Sequence, residues 1–335
     1  MTAVTTSGTR SSQAESIPGL RLRPFDPERD IDGLVDLIFE ANVADAVDYI
    51  PTAENLRVEF ERGPDFDPDR DVLVAETDGR IVGATLQRGR LRAGTVVHYF
   101  DGWVRPAFRR RGLGRELLHW SEARAREIAR TWDGDGPHAV GGWPDEQQAG
   151  AIALFESEGY KVVRYGNMMV RPLDEPIVDA PLPDGLEIRP VRPDDHRRIW
   201  EADAEAFRDH WEAAARTEED FTAWYASPEL DTSLWRVAWD GDEVAGSVMT
   251  FIFPNENERL GVNRGWLQHI SVRRPWRRRG LASALITESL QLLRERGLSE
   301  AALDVDAENT SGALRLYESH GFRKSRMGIS YRKSL

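Results

Sequence analysis

Two short segments of the sequence combine arginine with glycine in a pattern suited to binding phosphate groups. Residues 277–282, Arg-Arg-Arg-Gly-Leu-Ala, follow the apolar run 266–272 and precede a stretch with apolar residues at helical spacing. A strand, a basic turn with glycine and a helix aim main-chain N–H groups and the positive end of the helix dipole at an anion. One charge near a helix end is worth only about 0.3–1 kcal/mol, so we expect several amides and arginines to act together.

The phosphate-loop pattern occurs a second time in the chain, and two other motifs recur with it. Residues 109–114, Arg-Arg-Arg-Gly-Leu-Gly, lie 168 positions before residues 277–282, counted from Gly112 to Gly280. The other two offsets are 166, from Arg23 to Arg189, and 162, from Ile152 to Leu314. Three separate motifs at nearly constant offsets predict a duplicated domain.

Each half has the same predicted order of strands and helices. A short strand at 20–25 precedes an amphipathic helix from 30 to about 44, and Asp-Gly at 78–79 centres a hairpin. A strand at 96–104 leads into the loop, a helix from about 114 to 129 follows, and a short helix covers 149–157. We therefore predict a disordered tail at 1–18, domains at 19–172 and 186–335, and a proline-rich linker at 173–185.

Composition restricts the classes of function. The 335 residues are enough for two ordinary domains, and the net charge of −13 argues against a nucleic-acid partner held by general electrostatics. The absence of cysteine excludes disulfides, thiolate metal sites and a cysteine nucleophile, and we predict no metal site. No run approaches about 20 apolar residues, so we expect a cytoplasmic protein without a membrane partner.

The combined motifs resemble those of the GNAT superfamily of acyl-CoA-dependent N-acetyltransferases. The resemblance rests on a strand followed by Arg-x-x-Gly-x-Gly/Ala, a helix, and Leu-Tyr-Glu-x-x-Gly-Phe at 316–322. Two copies in one acidic chain are similar to the tandem GNAT enzymes of the mycothiol synthase type. The resemblance implies an α/β (α+β) fold with two tandem domains, each a mostly antiparallel mixed sheet with helices on both faces.

The resemblance also implies an activity and a cosubstrate. GNAT enzymes use acetyl-CoA, and an amine attacks the thioester directly in a ternary complex. The expected acceptor is therefore a primary amine of a small molecule or peptide. Tyr317 matches the tyrosine that protonates the departing thiolate, although a core tyrosine on an amphipathic helix has the same pattern. The first half has Phe155 at that place, so we expect the second half to be catalytic and the first to be weak or inactive.

The resemblance assigns the cofactor site residue by residue. Main-chain groups of the central strand and the loop residues hold the pantetheine arm and the pyrophosphate, and an asparagine contacts the cofactor. In the second half these residues are Ile270, Val272, Arg277, Arg278, Arg279, Gly280, Leu281, Ala282 and Asn309. In the first half they are Val104, Arg109, Arg110, Arg111, Gly112 and Gly114.

The general base of the second half is less well defined. The resemblance implies a glutamate near the position of Trp266, which has no basic group. The remaining candidates are Gln268, which can only orient a water molecule, and Asp304 on the following strand. His269 is adjacent, but strand alternation places it on the face opposite Gln268.

The resemblance also implies that the acceptor pocket is built from the segment between the first strand and the hairpin of the second half. Asp209, His210 and Glu212 form a candidate set for a cationic substrate. The alternative is a solvated helix end with Trp211 packed on the core.

Two other functions fit the same sequence. One is a non-catalytic protein that binds or senses acyl-CoA, and the other is a protein N-terminal or ribosomal-protein acetyltransferase. We expect a monomer, because the two halves can pair like the subunits of a dimer.

Overall fold

The structure is a computed structural model that describes residues 17–61, 66–92, 94–134, 136–211, 213, 216–227, 229–309 and 312–335. The chain divides into two compact units. Of the described residues, the first unit takes those up to Arg90, Gly94–Lys161 and Tyr331–Leu335, and the second takes Leu91, Arg92 and Val162–Ser330.

The elements of the first unit follow the predicted order. They are β1 (Arg21–Pro24), α1 (Pro27–Ala44), α2 (Ala53–Glu59), α3 (Pro68–Asp71), β2 (Val72–Thr77), β3 (Arg80–Arg92), β4 (Thr95–Val104), α4 (Leu113–Thr131), β5 (His138–Gly142) and α5 (Ala149–Ser157). Local chemistry sets the helix starts: Asp26 caps α1 by accepting a hydrogen bond from the Glu28 amide, and Pro27 occupies the first turn.

The second unit repeats the order. Its elements are β6 (Lys161–Pro172), β7 (Glu187–Ile188), α6 (His196–Ala206), α7 (Glu218–Tyr225), β8 (Arg236–Asp240), β9 (Glu243–Ile252), α8 (Pro254–Leu260), β10 (Arg264–Val272), α9 (Leu281–Glu295), β11 (Glu300–Asp306), α10 (Ala313–Ser319) and β12 (Arg323–Ser334). The last residues of β12, from Tyr331, belong to the first unit.

Each unit has a mostly antiparallel sheet with one parallel pair. In the first unit the order is β1-β2-β3-β4-β5, with the end of β12 beside β5, and only β4 and β5 run parallel among the described pairs. In the second unit the order is β7-β8-β9-β10-β11-β6-β12, and β10 and β11 are the parallel pair among those described. The predicted mixed fold is confirmed.

Helices cover both faces of each sheet, as predicted. In the second unit, α9 packs Leu285 and Leu293 with Leu267 of β10, whereas α6 packs Ile199 with Trp266, the preceding residue of the same strand. In the first unit, α1 and α4 pack into two separate clusters with residues of β2. Successive side chains along a strand point to opposite faces of the sheet, so residues of one strand contribute to two hydrophobic cores.

The ends of the two repeated halves show packing that the repeat pattern does not indicate. Residues 162–172 lie in the second unit, where β6 pairs with β11 and buries Met168 and Met169. Residues 1–16 of the predicted tail lie outside the described residues. Ile17 is buried, and Thr77 Oγ1 donates a 2.8 Å hydrogen bond to the Pro18 carbonyl, so the packed chain begins before residue 19.

Among the described residues, no helix is long and apolar enough to cross a membrane.

Candidate active site

The two parallel strands of the second unit separate partway along their length. Their described pairing runs from Arg264 opposite Glu300 to Trp266 opposite Ala302, although β10 continues to Val272 and β11 to Asp306. Beyond Trp266, β10 keeps its pairing with β9 on the other side. The edge of β10 that carries Ile270 and Val272 therefore opens onto a gap, and an extended ligand can pair with main-chain groups there.

The loop between β10 and α9 has the conformation of an anion-binding site. Arg278 and Gly280 have φ of 62° and 87°, in the left-handed region. Gly280 is the N-cap of α9 and makes no side-chain capping bond, so no N-cap side chain satisfies the amides of the first turn. Left-handed loop residues and a helix N-terminus without a side-chain cap together form a site suited to anions.

The first unit repeats this loop conformation. Arg110 and Gly112 have φ of 62° and 83°, and Gly112 is the N-cap of α4, again without a side-chain capping bond. Gly114 lies in the first turn of that helix. The duplication has therefore kept the backbone of the loop in both halves.

The first arginine of each triplet braces the loop. Arg277 donates from Nε to the Val272 carbonyl at 2.9 Å and from Nη2 to the Ala206 carbonyl at 3.1 Å. Arg109 donates equivalently to the Val104 carbonyl at 3.1 Å and forms an ion pair with Asp45 at 2.7 Å. These bonds tie the loop to the strand and helix beside it.

The other two arginines of each triplet remain at the surface. The side chains of Arg278, Arg279, Arg110 and Arg111 are exposed. The guanidinium groups available to a phosphate are thus those of the second and third arginines of each triplet.

Tyr317 lies on α10 within the core cluster that also contains Trp276 and Leu281. Its ring is in edge-to-face contact with Phe322, with centroids 6.3 Å apart. Burial raises the pKa of Tyr317 to about 12, so the phenol carries its proton throughout the neutral range. Asn309, which precedes α10, is half-buried, and its main-chain N–H donates to the Asp306 carbonyl at 3.1 Å.

The two predicted base candidates lie at the start of the gap. Gln268 and Asp304 each stand two residues beyond the last described pair, Gln268 on β10 and Asp304 on β11. Gln268 is half-buried, whereas Asp304 is exposed and lies opposite Met168 of β6. Sequence reasoning therefore put both residues on the strands that form the gap.

His269 lies on the α6 face of the sheet, and the alternation argument for it was wrong. The register between β10 and β9 shifts between Gln268 and Ile270, and His269 has φ of 41°. This one-residue bulge breaks the alternation. His269 Nδ1 lies 2.8 Å from Asp203 Oδ2 on α6, on the same face as Trp266. Residues 266–272 contain no residue type that marks the bulge.

The predicted acceptor segment adjoins His269. Phe207 contacts the rings of both His210 and His269, with centroids 4.4 Å and 5.4 Å away. The backbone of Asp209 lies in the turn after α6, whereas its side chain and the whole of Glu212 lie outside the described residues. The structure therefore brings His210 into this neighbourhood but says nothing of the two acids.

The first unit contains a cavity of about 630 Å³ at the equivalent place. Its lining includes Val104, Arg109, Arg110 and Gly114, which the resemblance assigned to the cofactor. Phe155 also lines it and stacks on Phe100, with ring centroids 5.6 Å apart. The cavity has room for a cofactor arm. Phe155 stands at the position that corresponds to Tyr317, and its side chain has no acidic proton to donate.

The fold and the repeated loop define the class of protein, and comparison with known families gives the same class. Residues 196–322 match the Acetyltransferase (GNAT) family, and residues 68–162 match an Acetyltransferase (GNAT) domain. The chain belongs to the GNAT family. It is an acyltransferase with two GNAT domains, and acetyl-CoA is its cosubstrate.

Within this family, the chain is similar over most of its length to mycothiol acetyltransferases. It is 32% identical to that of Salinispora arenicola, covering 97% of this chain and 99% of the relative. It is 31% identical to that of Geodermatophilus obscurus, covering 91% of this chain and 97% of the relative. The similarity thus extends over nearly the whole of both chains.

Solved structures agree on the arrangement. A GCN5-related N-acetyltransferase from Sphaerobacter thermophilus has a TM-score of 0.73 at 27% identity, covering 95% of this chain and 96% of that chain. A tandem GNAT protein from the clavulanic acid biosynthesis pathway has a TM-score of 0.65 at 17% identity, covering 94% and 98%. The latter likeness concerns the fold alone.

Proposed function

We propose that the second unit transfers an acetyl group from acetyl-CoA directly to the primary amine of a small molecule, with both substrates bound together. The observation that carries this proposal is the contrast between Tyr317 and Phe155. Both units have the loop and the helix start, but only the second has a protonated hydroxyl at this position of the short helix.

The described residues fit acetyl-CoA. The free first turn of α9 and the left-handed Gly280 suit the pyrophosphate, with the amides of Leu281 and Ala282 as donors. Arg278 and Arg279 add positive charge, and Arg277 holds the loop in place through its two carbonyl contacts. The open edge of β10 at Ile270 and Val272 suits the extended pantetheine arm. When bound, acetyl-CoA supplies an activated acetyl thioester.

The residues of the gap divide the remaining tasks. Tyr317 donates its phenolic proton toward the sulfur that leaves. Asn309 lies before α10, in place to contact the cofactor, and Gln268 and Asp304 flank the start of the gap, where an amine can approach. A direct transfer also agrees with the absence of cysteine, the nucleophile most easily acylated at neutral pH.

The acceptor is proposed from the relatives. Because they are named mycothiol acetyltransferases, we propose a small-molecule amine related to mycothiol. The segment around His210 and Phe207 is the proposed acceptor side of the site.

The cavity of the first unit favours a second role in the same protein. Its lining contains the loop residues Arg109 and Arg110, and Phe155 replaces the proton donor. We propose that the first unit binds acyl-CoA without turning it over.

Steady-state kinetics test the main proposal. Release of CoA is followed chromatographically over a panel of amino sugars, amino-acid amides, polyamines and peptides. We expect turnover on one class of small amine, with intersecting double-reciprocal lines when both substrates are varied. Parallel lines would contradict direct transfer. Binding of acetyl-CoA without turnover on any amine would favour a sensor.

A further inference from the structure

A buried carboxylate supports a histidine at the bulge of β10. Asp203 is buried within α6, and its Oδ2 lies 2.8 Å from His269 Nδ1 and 2.6 Å from Arg216 Nη2. Burial alone would raise the pKa of Asp203, but the hydrogen bonds from His269 and Arg216 and the positive charge of Arg216 hold that pKa below its usual range. Asp203 is therefore a carboxylate at neutral pH.

The ionised state of Asp203 fixes the tautomer of His269. A carboxylate oxygen only accepts hydrogen bonds, so Nδ1 of the histidine must be the donor. In the neutral imidazole the lone pair is then on Nε2. The structure gives Nε2 no hydrogen-bond partner among the described residues, and the side chain of His269 is 27% exposed. A basic nitrogen is thus held in one orientation and remains reachable.

The surroundings of His269 are suited to an amine that enters from the acceptor side. Trp224 and Phe207 flank the imidazole, with ring centroids 4.8 Å and 5.4 Å away. The titratable and charged groups that face it are Asp203 directly, Arg216 behind Asp203, and His210 beyond Phe207. Tyr225 of α7 lies in the field of Asp203, and its pKa is raised, chiefly by burial.

His269 and Tyr317 lie on opposite sides of strand β10. The next residue, Ile270, packs against the cluster that contains Tyr317, whereas His269 lies on the opposite, α6 face. The bulge thus places a base and an acid on the two sides of the strand that borders the gap.

We infer that His269 is the general base of the second unit and that Asp203 is its positioning residue. This inference rests on the proposed acetyl transfer. His269 Nε2 accepts the proton that the amine nitrogen loses while that nitrogen forms its bond to the acetyl carbon. The carbon–sulfur bond breaks with its electron pair on sulfur, and the Tyr317 hydroxyl donates a hydrogen bond to the sulfur as its negative charge develops. His269 then releases its proton to water, and the CoA thiolate takes up a proton from water.

The first half lacks this pair, in agreement with the inferred division of labour. The two loops are 168 positions apart, so Asp101 of the first half corresponds to His269. The first strands of the two halves are 166 positions apart, so Leu37 corresponds to Asp203. Leu37 is buried in the core of the first unit and cannot orient a side chain by hydrogen bonding. The Tyr317 hydroxyl and the carboxylate-supported histidine are thus both features of the second unit.

Rate profiles against pH test the pair on the full-length chain. In the wild type, kcat rises with pH as the base loses its proton. We expect His269→Gln to lower kcat at pH 7 by about 10²- to 10⁴-fold and to abolish that rise. His269→Ala should recover part of its activity when imidazole is added, which a purely structural role does not predict. Asp203→Asn should lower kcat with the Michaelis constant for acetyl-CoA unchanged, and should move the rise to lower pH.

Controls separate the possible failures. His119→Gln removes a surface histidine of the first unit and should leave the profile unchanged. Calorimetric binding of acetyl-CoA shows that each variant is folded. Wild-type activity with an unaltered profile in both His269→Gln and Asp203→Asn would overturn the inference and leave the proposed function standing. If the wild type turned over no amine, both would fall.

Discussion

The substitution Tyr317→Phe removes one hydroxyl from the site and tests the role of the second unit. The hydroxyl has no hydrogen-bond partner among the described residues, and burial alone accounts for its raised pKa. Removing it leaves no donor or acceptor unsatisfied, so we expect the free energy of unfolding to change by less than about 1 kcal/mol.

The pKa of Tyr317 sets the size of the expected effect. A thiol has a pKa near 8.5, so complete transfer of a proton from a phenol of pKa about 12 to a thiolate is uphill by about 5 kcal/mol. The useful contribution is therefore a hydrogen bond to the charge that develops on sulfur. Such a bond is worth about 1.5–3 kcal/mol. We predict that kcat falls by about 10- to 100-fold, which is at or below the lower limit of the range for general acids.

The assay measures CoA release at saturating substrates, and an isothermal titration gives the affinity for acetyl-CoA. For an acceptor without a thiol, a disulfide dye can report release, because the chain has no cysteine to react with it. The matched control is Tyr160→Phe, which removes a buried hydroxyl of the first unit that donates to Glu122 at 3.0 Å. Its kcat should equal that of the wild type. An unchanged kcat in Tyr317→Phe would refute the role assigned to the hydroxyl.

Further predictions concern the loop and the buried carboxylate. Gly280→Ala places a side chain at φ of 87° with no atom near its Cβ, so the cost is conformational, about 1–2 kcal/mol, and we expect acetyl-CoA to bind up to about tenfold more weakly by calorimetry. Gly112→Ala should leave kcat/KM unchanged, and an equal loss in that variant would place catalysis in the first unit. Asp203→Asn should lower the free energy of unfolding by about 1–3 kcal/mol at neutral pH. Because the folded pKa of Asp203 lies below its ordinary value of 3.8, that stabilisation should be present above about pH 4 and disappear as the pH falls through the folded pKa. Chemical denaturation of the wild type and of Asp203→Asn at several pH values measures this difference in the free energy of unfolding. A difference that stays constant down to pH 2 would contradict the assigned ionisation of Asp203.

Much of the fold could be predicted from the sequence because its signals are local or repeated. Glycines at the two loops, apolar periodicity in the helices after them and three nearly constant offsets are visible in one chain. The Arg-Arg-Arg-Gly segments predicted a loop before a helix, and the structure has left-handed Gly112 and Gly280 there.

The remaining features depend on contacts between distant residues. His269 was assigned to the wrong face because one bulged residue reverses the alternation, and nothing in the letters 266–272 marks it. Asp203 was not singled out, since its partner lies 66 residues away on another element. The bracing role of Arg277 depends on the Ala206 carbonyl, and the triplet of arginines alone predicts only charge.

The central claim is that this chain transfers the acetyl group of acetyl-CoA to a small amine. The measurement that tests it most directly is a mass-spectrometric count of acetylated amine against CoA released, over the amine panel with the wild-type protein. We predict one acetylated amine for each CoA, with product formed on a small-molecule amine and none without added amine. CoA release with no acetylated amine, or acetyl-CoA binding with neither product, would contradict the account.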